Sequence, residues 1–242
     1  MSDKTKLGDR MKAYESVPKN FLTRRLPCII RLDGKSFHTF TRGMQKPFDP
    51  YLSICMEMTA LHLCEEIQGC KFAYFQSDEI SLLLTDYDTI QTDAFFGYNV
   101  QKMTSISAAL ASVRFQKAAA IEFPDKMKLN PIFDSRVFSL PHEEVCNYFI
   151  WRQQDATRNS IQMLGQSHFS PKQLHGKSCS DIQDLLMLKK DVNWNDVETK
   201  YKRGAALYKS DGEWCMDMDM PILTQDRDFV DKWVYFTTEG KE

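Results

Sequence analysis

Residues 71–84, KFAYFQSDEISLLL, leave the chain little choice of local structure. Two runs of aromatic and branched apolar residues, each too short for a helix of three turns, flank the polar trio Ser77-Asp78-Glu79. Such runs favour strands and the trio favours a bend. The segment therefore predicts a β-hairpin with carboxylates at its tip. An isolated hairpin is marginal in water, so the remainder of the chain must supply further strands and a helical cover.

The neighbouring segments supply both. Residues up to about Asn20 read as a polar helix or arm, and PCIIRL from Pro27 reads as a short buried strand ending in Asp33-Gly34. Asp49-Pro50 is a helix cap followed by a residue suited to the first helical position, which predicts a helix over 51–68 with Gly69 as its stop. Residues 92–120, rich in Ala and Ser, predict a second long helix, and IFDSRVFSLP from Ile132 a further strand. Pro141, with Glu143 and Glu144 behind it, opens a third helix running to about Gln166. The order strand, helix, hairpin, helix, strand is βαββαβ. That predicts an α+β, ferredoxin-like palm, an antiparallel sheet with two helices on one face. Beyond it, Ser170-Pro171 opens a short helix, Ser180 or Asp181 caps another, and residues 203–209 with 213–222 form a hairpin around Ser210-Asp211-Gly212. Residues 1–150 thus read as a palm-like catalytic core and 151–242 as a C-terminal helical and hairpin elaboration packed on it, in one compact unit.

Composition narrows the functional classes. Of 242 residues, 43% are hydrophobic and 12% aromatic, which excludes a disordered chain. No apolar run approaches the ~20 residues that cross a bilayer, and MSDKTKLGDRMKAYES does not read as a signal peptide. Seven cysteines without a CxxC pair read as reduced thiols of a cytoplasmic protein. The net charge of −2 hides a +6 segment over residues 1–50 beside a −7 segment over 51–100. That juxtaposition suits a site holding metal on one side and a polyanion on the other, although ordinary solvated faces give the same counts.

Three motif resemblances fail. Gly34-Lys35-Ser36 ends like a phosphate-binding P-loop, but its first glycine would fall at Ile29. Gly165-Gln166-Ser167-His168-Phe169 lacks the last glycine of a nucleophile elbow. The run from His142 has Cys146 where a zinc protease has its second histidine. The surviving constellation is Asp33, Asp78 and Glu79. In a βαββαβ sheet the first and third strands are neighbours, so the three acids converge on one sheet edge. Grouped carboxylates call for a cation, and oxygen ligands without Cys or His select Mg²⁺ or a similar ion over zinc. Each acid could instead be a turn residue or a helix cap.

The motifs Arg31-Leu32-Asp33-Gly34-Lys35-Ser36-Phe37-His38-Thr39-Phe40, Lys46-Pro47, Gln76-Ser77-Asp78-Glu79, Phe133-Asp134-Ser135-Arg136, Trp151-Arg152-Gln153-Gln154-Asp155 and Tyr201-Lys202-Arg203-Gly204 resemble the tRNA(His) guanylyltransferase family over nearly the whole chain. The resemblance implies a metal-dependent nucleotidyltransferase with a polymerase-like palm. It would add nucleotides to the 5′ end of tRNA in the 3′-to-5′ direction, with two Mg²⁺ ions, GTP, ATP or other nucleoside triphosphates as substrates, and a homotetrameric assembly. It implies Asp33, the Gly34 carbonyl and Asp78 as metal ligands, Glu79 as their support, and Asp33 to His38 with Asp78 and Glu79 as nucleotide contacts. Chemistry agrees: Gly34 lets backbone approach phosphate, and successive amides from Gly34 to His38 make a cradle. Lys35, Lys46 and Lys102 are candidate triphosphate cations and Ser77 a candidate donor. Phe37 reads as core rather than base platform, and His38 as a phosphate donor or a satisfied turn residue. For tRNA, the basic N-terminal segment offers Lys19, Arg24 and Arg25.

Two departures stand out. Thr157-Arg158-Asn159-Ser160 lies where the tRNA(His)-specific enzymes have His-Ile-Asn-Asn, and Ile182-Gln183-Asp184 aligns with their Lys-Asn-Glu. Both features serve activation of a monophosphorylated tRNA and selection of tRNA(His), so their absence predicts template-dependent repair of 5′-truncated tRNAs. The alternatives are a tRNA(His)-specific guanylyltransferase, a palm-type nucleotide cyclase, and a non-catalytic RNA-binding module.

Overall fold

The computed structural model describes residues 5–235; the first four residues of the segment read as lacking a leader lie outside them. In chain order the elements are α1 (Lys6–Ser16), β1 (Cys28–Gly34), α2 (Phe37–Phe40), α3 (Pro50–Glu66), β2 (Cys70–Gln76), β3 (Glu79–Leu84), α4 (Val100–Glu122), β4 (Phe133–Ser139), α5 (His142–His168), α6 (Pro171–Leu174), α7 (Cys179–Lys190), α8 (Thr199–Arg203), β5 (Ala205–Ser210), β6 (Glu213–Asp217) and α9 (Asp228–Asp231). The strands form one sheet in the order β4-β1-β3-β2-β5-β6, antiparallel throughout. Its first four strands have the ferredoxin-like order expected from βαββαβ, and the late hairpin β5–β6 extends the same sheet from β2.

Both faces are covered, so β3 is buried at every position and β2 at all but Lys71. This is why KFAYF and ISLLL read as continuous apolar runs rather than alternating ones. Ile30, Leu32, Phe75, Ile80 and Leu82 pack with residues of α3 and α4 on one face. Ile29, Phe72, Tyr74 and Leu83 meet α5 and the segment around α9 on the other. Phe37, Phe40, Phe115 and Phe133 form a cluster with ring centroids 5.0–5.6 Å apart. Each such pair adds ~1 kcal/mol beyond the area it buries.

Several boundaries differ from the sequence expectation, for local reasons. The second long helix begins at Val100 rather than Thr92, because Asn99 caps it by accepting from the Lys102 N–H, while Phe96, Gly97 and Tyr98 hold positive φ. Helix α7 is capped by Ser178, and Asp181 sits at the third helical position, returning a bond to the Ser178 N–H. The late hairpin starts at Ala205, since Arg203 closes α8 and Gly204 turns the chain at φ 84°. A β-carbon at Gly204 would stand 2.6 Å from the Tyr74 ring, whose hydroxyl donates to the Arg203 carbonyl at 2.8 Å. All seven cysteines are free thiols, five of them buried. No helix among the described residues is long and apolar enough to cross a membrane.

Candidate active site

The register places the acids. Asp33, near the end of β1, is directly opposite Glu79 at the start of β3 and Asp134 in β4. Ser77 and Asp78 form the two-residue connection between Gln76 and Glu79. Ser77 is left-handed at φ 49° and Ser36, beyond β1, at φ 57°, a conformation that costs a serine about 1 kcal/mol or more. The Gly34 N–H donates to the Asp78 carbonyl at 3.0 Å, tying the two acid-bearing turns together.

The three acids share this sheet edge but not one environment. Glu79 is buried and accepts from Arg152 Nε on one oxygen and from the Arg31 guanidinium on the other, both at 2.7 Å. Arg152 also donates to Asp155 at 2.6 Å, and Asp155 is further engaged by Arg158. Glu79 is thus neutralised by protein cations, and of the predicted trio only Asp33 and Asp78 are left for a metal. Desolvation, then the Asp33 charge, push the Asp78 carboxyl up from 3.8 to about 6. Two close carboxylates with the Gly34 carbonyl beside them form an all-oxygen donor set of the kind Mg²⁺ prefers. Among the described residues no cluster of three or more Asp, Glu, His or Cys side chains forms a metal site. The donor set therefore fits the ion only with backbone and solvent or substrate oxygens completing it.

Next to these acids lies a cleft of about 360 Å³ lined by Phe37, His38, Met44, Lys46, Pro47, Asp49, Ser77, Asp78, Met163 and Gln166, among others. A smaller recess of about 80 Å³ shares Asp49, Leu52, Ser77 and Met163 with it, and adds Phe48, Asn159, Ser160, Lys200, Tyr201 and Gly204. Phe48 and Tyr201 stack in parallel there at 4.7 Å. The larger cleft falls within the ~300–1,000 Å³ typical of small-molecule sites.

Of the predicted contacts, His38, Lys46, Ser77 and Asp78 line the cleft, whereas Lys35 and Ser36 are exposed on the loop beside it. Phe37 touches the cleft but packs its ring into the aromatic cluster, as core. That packing gives Gly34 a second reason, since a β-carbon there would stand 2.4 Å from the Phe37 ring. The amide cradle is shorter than expected. The Gly34 and Lys35 N–H groups are bonded to Asp78 and Ile132 carbonyls, leaving the opening turn of α2 as its source. Lys102 is not brought to the cleft: it sits in the first turn of α4, over the Phe96 ring, beside the Asn20–Leu22 backbone at the other end of the sheet. Arg24 and Arg25 lie at that end too, bonded to Asp86, Thr89 and Thr92, so they pin a loop; Lys19 is exposed. The two departure positions also read differently in three dimensions. Thr157 lines neither recess, and Ile182 is buried against Leu164 and Leu186, where a lysine would have no place.

Sequence reasoning missed Asp49, Asn159, Ser160 and Met163 as cleft residues, and the arginine pair that holds Glu79. Asp49 was legible as a helix cap, and it is one, accepting from Tyr51 and Leu52. Arg31, Arg152, Tyr201 and Gly204 lay inside the resemblance motifs, without a role that spacing alone could assign.

A family model described as tRNAHis guanylyltransferase matches residues 8–141, and the chain belongs to that family of nucleotidyltransferases. The tRNA(His) guanylyltransferase of Debaryomyces hansenii is 28% identical over 209 residues, covering 79% of this chain and 76% of the relative. A bacterial tRNA(His) guanylyltransferase (Thg1)-like protein in complex with ATP superposes with a TM-score of 0.92 at 45% identity, covering 95% of this chain and all of that one. A structure of a bacterial Thg1-like protein in complex with GTP has a TM-score of 0.82 at 39% identity over 95% of this chain and all of its own.

Proposed function

We infer that the chain adds nucleotides to the 5′ end of tRNA in the 3′-to-5′ direction, using nucleoside triphosphates. The observation that carries this is the pair Asp33 and Asp78, without a salt bridge among the described residues, at the edge of a nucleotide-sized cleft, in a chain whose similar structures hold ATP and GTP. Asp33, Asp78 and the Gly34 carbonyl would hold Mg²⁺. When bound, the metal lowers the pKa of an attacking hydroxyl and stabilises a leaving pyrophosphate. The opening turn of α2, with His38 and Lys46, meets the triphosphate. The adjoining recess, with Asn159, Ser160 and Tyr201, takes the base. Glu79, gripped by Arg31 and Arg152, fixes the turn carrying Asp78. Residues 1–150 supply the acids, and 151–242 contribute Arg152 and the far wall of the recess.

For the RNA, the names of the family and its curated relatives support guanylylation of tRNA(His) as the first reading. Thr157 in place of a histidine, with the 45% likeness to a Thg1-like protein, supports template-dependent repair as the second. The burial of Ile182 removes the other departure from this argument. The assembly would be a homotetramer in the cytoplasm, with the exposed Leu7, Met11 and Tyr14 of α1 offering an apolar contact; light scattering tests it.

One incubation with Mg²⁺, labelled GTP and a tRNA lacking its first 5′ nucleotide separates the classes. RNA growth supports the nucleotidyltransferase, a cyclic product a cyclase, and no product a binding module. Comparing kcat/KM for truncated tRNA and full-length tRNA(His), both with 5′ triphosphates, then decides between the two RNA readings.

A further inference from the structure

We propose that Trp151, with the arginines around it, is a stacking platform for the 5′-terminal nucleotide of the RNA substrate, across the paired acids from the triphosphate cleft. The proposal rests on the tRNA reading above and deepens it by naming where the second substrate sits.

Asp33 and Arg31 lie two residues apart on β1 and therefore point to the same face, the one α5 covers, about 7 Å apart along the strand. On that face Arg31 pairs directly with Arg136 of β4, a like-charge juxtaposition that destabilises a bare sheet. Trp151 of α5 reaches over this corner. The Arg152 guanidinium lies 4.3 Å from the indole centroid and that of Arg31 5.6 Å away. Both are held at 2.7 Å by Glu79, next to Asp78 in sequence. The indole is thus fixed by two cations, yet Trp151 remains 51% exposed. Arg31 Nε is buried without a hydrogen-bond partner among the described residues, and Arg136 is half exposed in a weak 3.3 Å pair with Asp134. An open aromatic ring flanked by guanidinium groups suits a nucleobase and its phosphates.

The nucleotide cleft lies on the other side. It is lined from α2, α3, the end of β2 and the later turns of α5, among them Met163 and Gln166. Asp78 lines that cleft and Asp33 shares the face of Arg31, so the acid pair adjoins both surfaces. A reaction joining two nucleotides needs such an arrangement, and the Trp151 corner is the side left for the RNA.

The test uses full-length protein and a 5′-triphosphorylated acceptor-stem hairpin. Tryptophan fluorescence should be quenched by the hairpin in the wild type and not in Trp151→Phe. Trp151→Ala should raise KM for the RNA about 10-fold or more, leave KM for GTP unchanged, and be partly rescued by Trp151→Phe, with thermal melts confirming the fold. Arg136→Ala should lower the salt slope of RNA binding by about one. An unchanged RNA KM in Trp151→Ala, or equal quenching by GTP alone, overturns the platform. Hairpin quenching without RNA extension by the wild type would sustain the platform and overturn the activity reading instead.

Discussion

The two ends of β3 carry carboxylates in opposite conditions. Beyond Leu84, Asp86 has no exposed surface and is met by Arg24 Nε and the Arg25 N–H. Before Glu79, Asp78 faces Asp33, and no salt bridge reaches either among the described residues. Burial alone does not distinguish a site from a scaffold; a pair of like charges with the countercharge withheld does. Glu79 makes the point within one residue of Asp78, because its two arginines put it with the scaffold.

Removing a scaffold partner should give the largest effects. Glu79→Ala leaves the buried Arg152 with Asp155 as its remaining partner and takes Arg31's partner away, and Arg24→Ala leaves the Asp86 charge poorly matched; each should cost about 3–5 kcal/mol, read from urea unfolding midpoints. If Arg24→Ala unfolds like the wild type, the contrast between the two ends collapses. Asp33→Ala and Asp78→Ala should reverse the pattern. Nucleotide addition falls at least ~10²-fold while the melting temperature holds or rises, because a repulsive pair has been relieved.

The pH dependence sharpens the same contrast. With the Asp78 carboxyl at about 6 in the fold and 3.8 as its ordinary value, the folded metal-free chain keeps a proton that the unfolded chain releases. Stability contributed by this group is therefore lost as pH rises from about 4 through 6, the reverse of a salt-bridged carboxylate. Melts of wild type and Asp78→Asn across that window should diverge by about 2–3 kcal/mol. Gly34→Ala should have the smallest effect, about 1–3 kcal/mol, as its new methyl displaces the Phe37 ring.

The palm was legible because each strand and helix announces itself locally: the Asp49 cap, the apolar runs around Ser77-Asp78-Glu79, and the order βαββαβ. The acids were legible for the same reason, since strand order alone makes β1 and β3 neighbours. Which acid is neutralised was not. Arg152 follows Glu79 by 73 residues and meets it only because α5 crosses the sheet on the face opposite α3 and α4. Lys102 and Arg24 show the converse limit: residue type and local charge say nothing about which end of a sheet a side chain occupies.

The extension of the sheet by β5 sets an order on synthesis. The strand bearing Asp33 and the turn bearing Asp78 leave the ribosome first, but the recess beside them gains Tyr201 and Gly204 only when residues more than a hundred positions later emerge. Until then β2 has an open edge toward the missing β5, of the kind that recruits other strands. A partly made chain therefore has its acids but neither the recess wall nor a closed β2, so competence to react and protection from mispairing arrive together, once β5 has emerged.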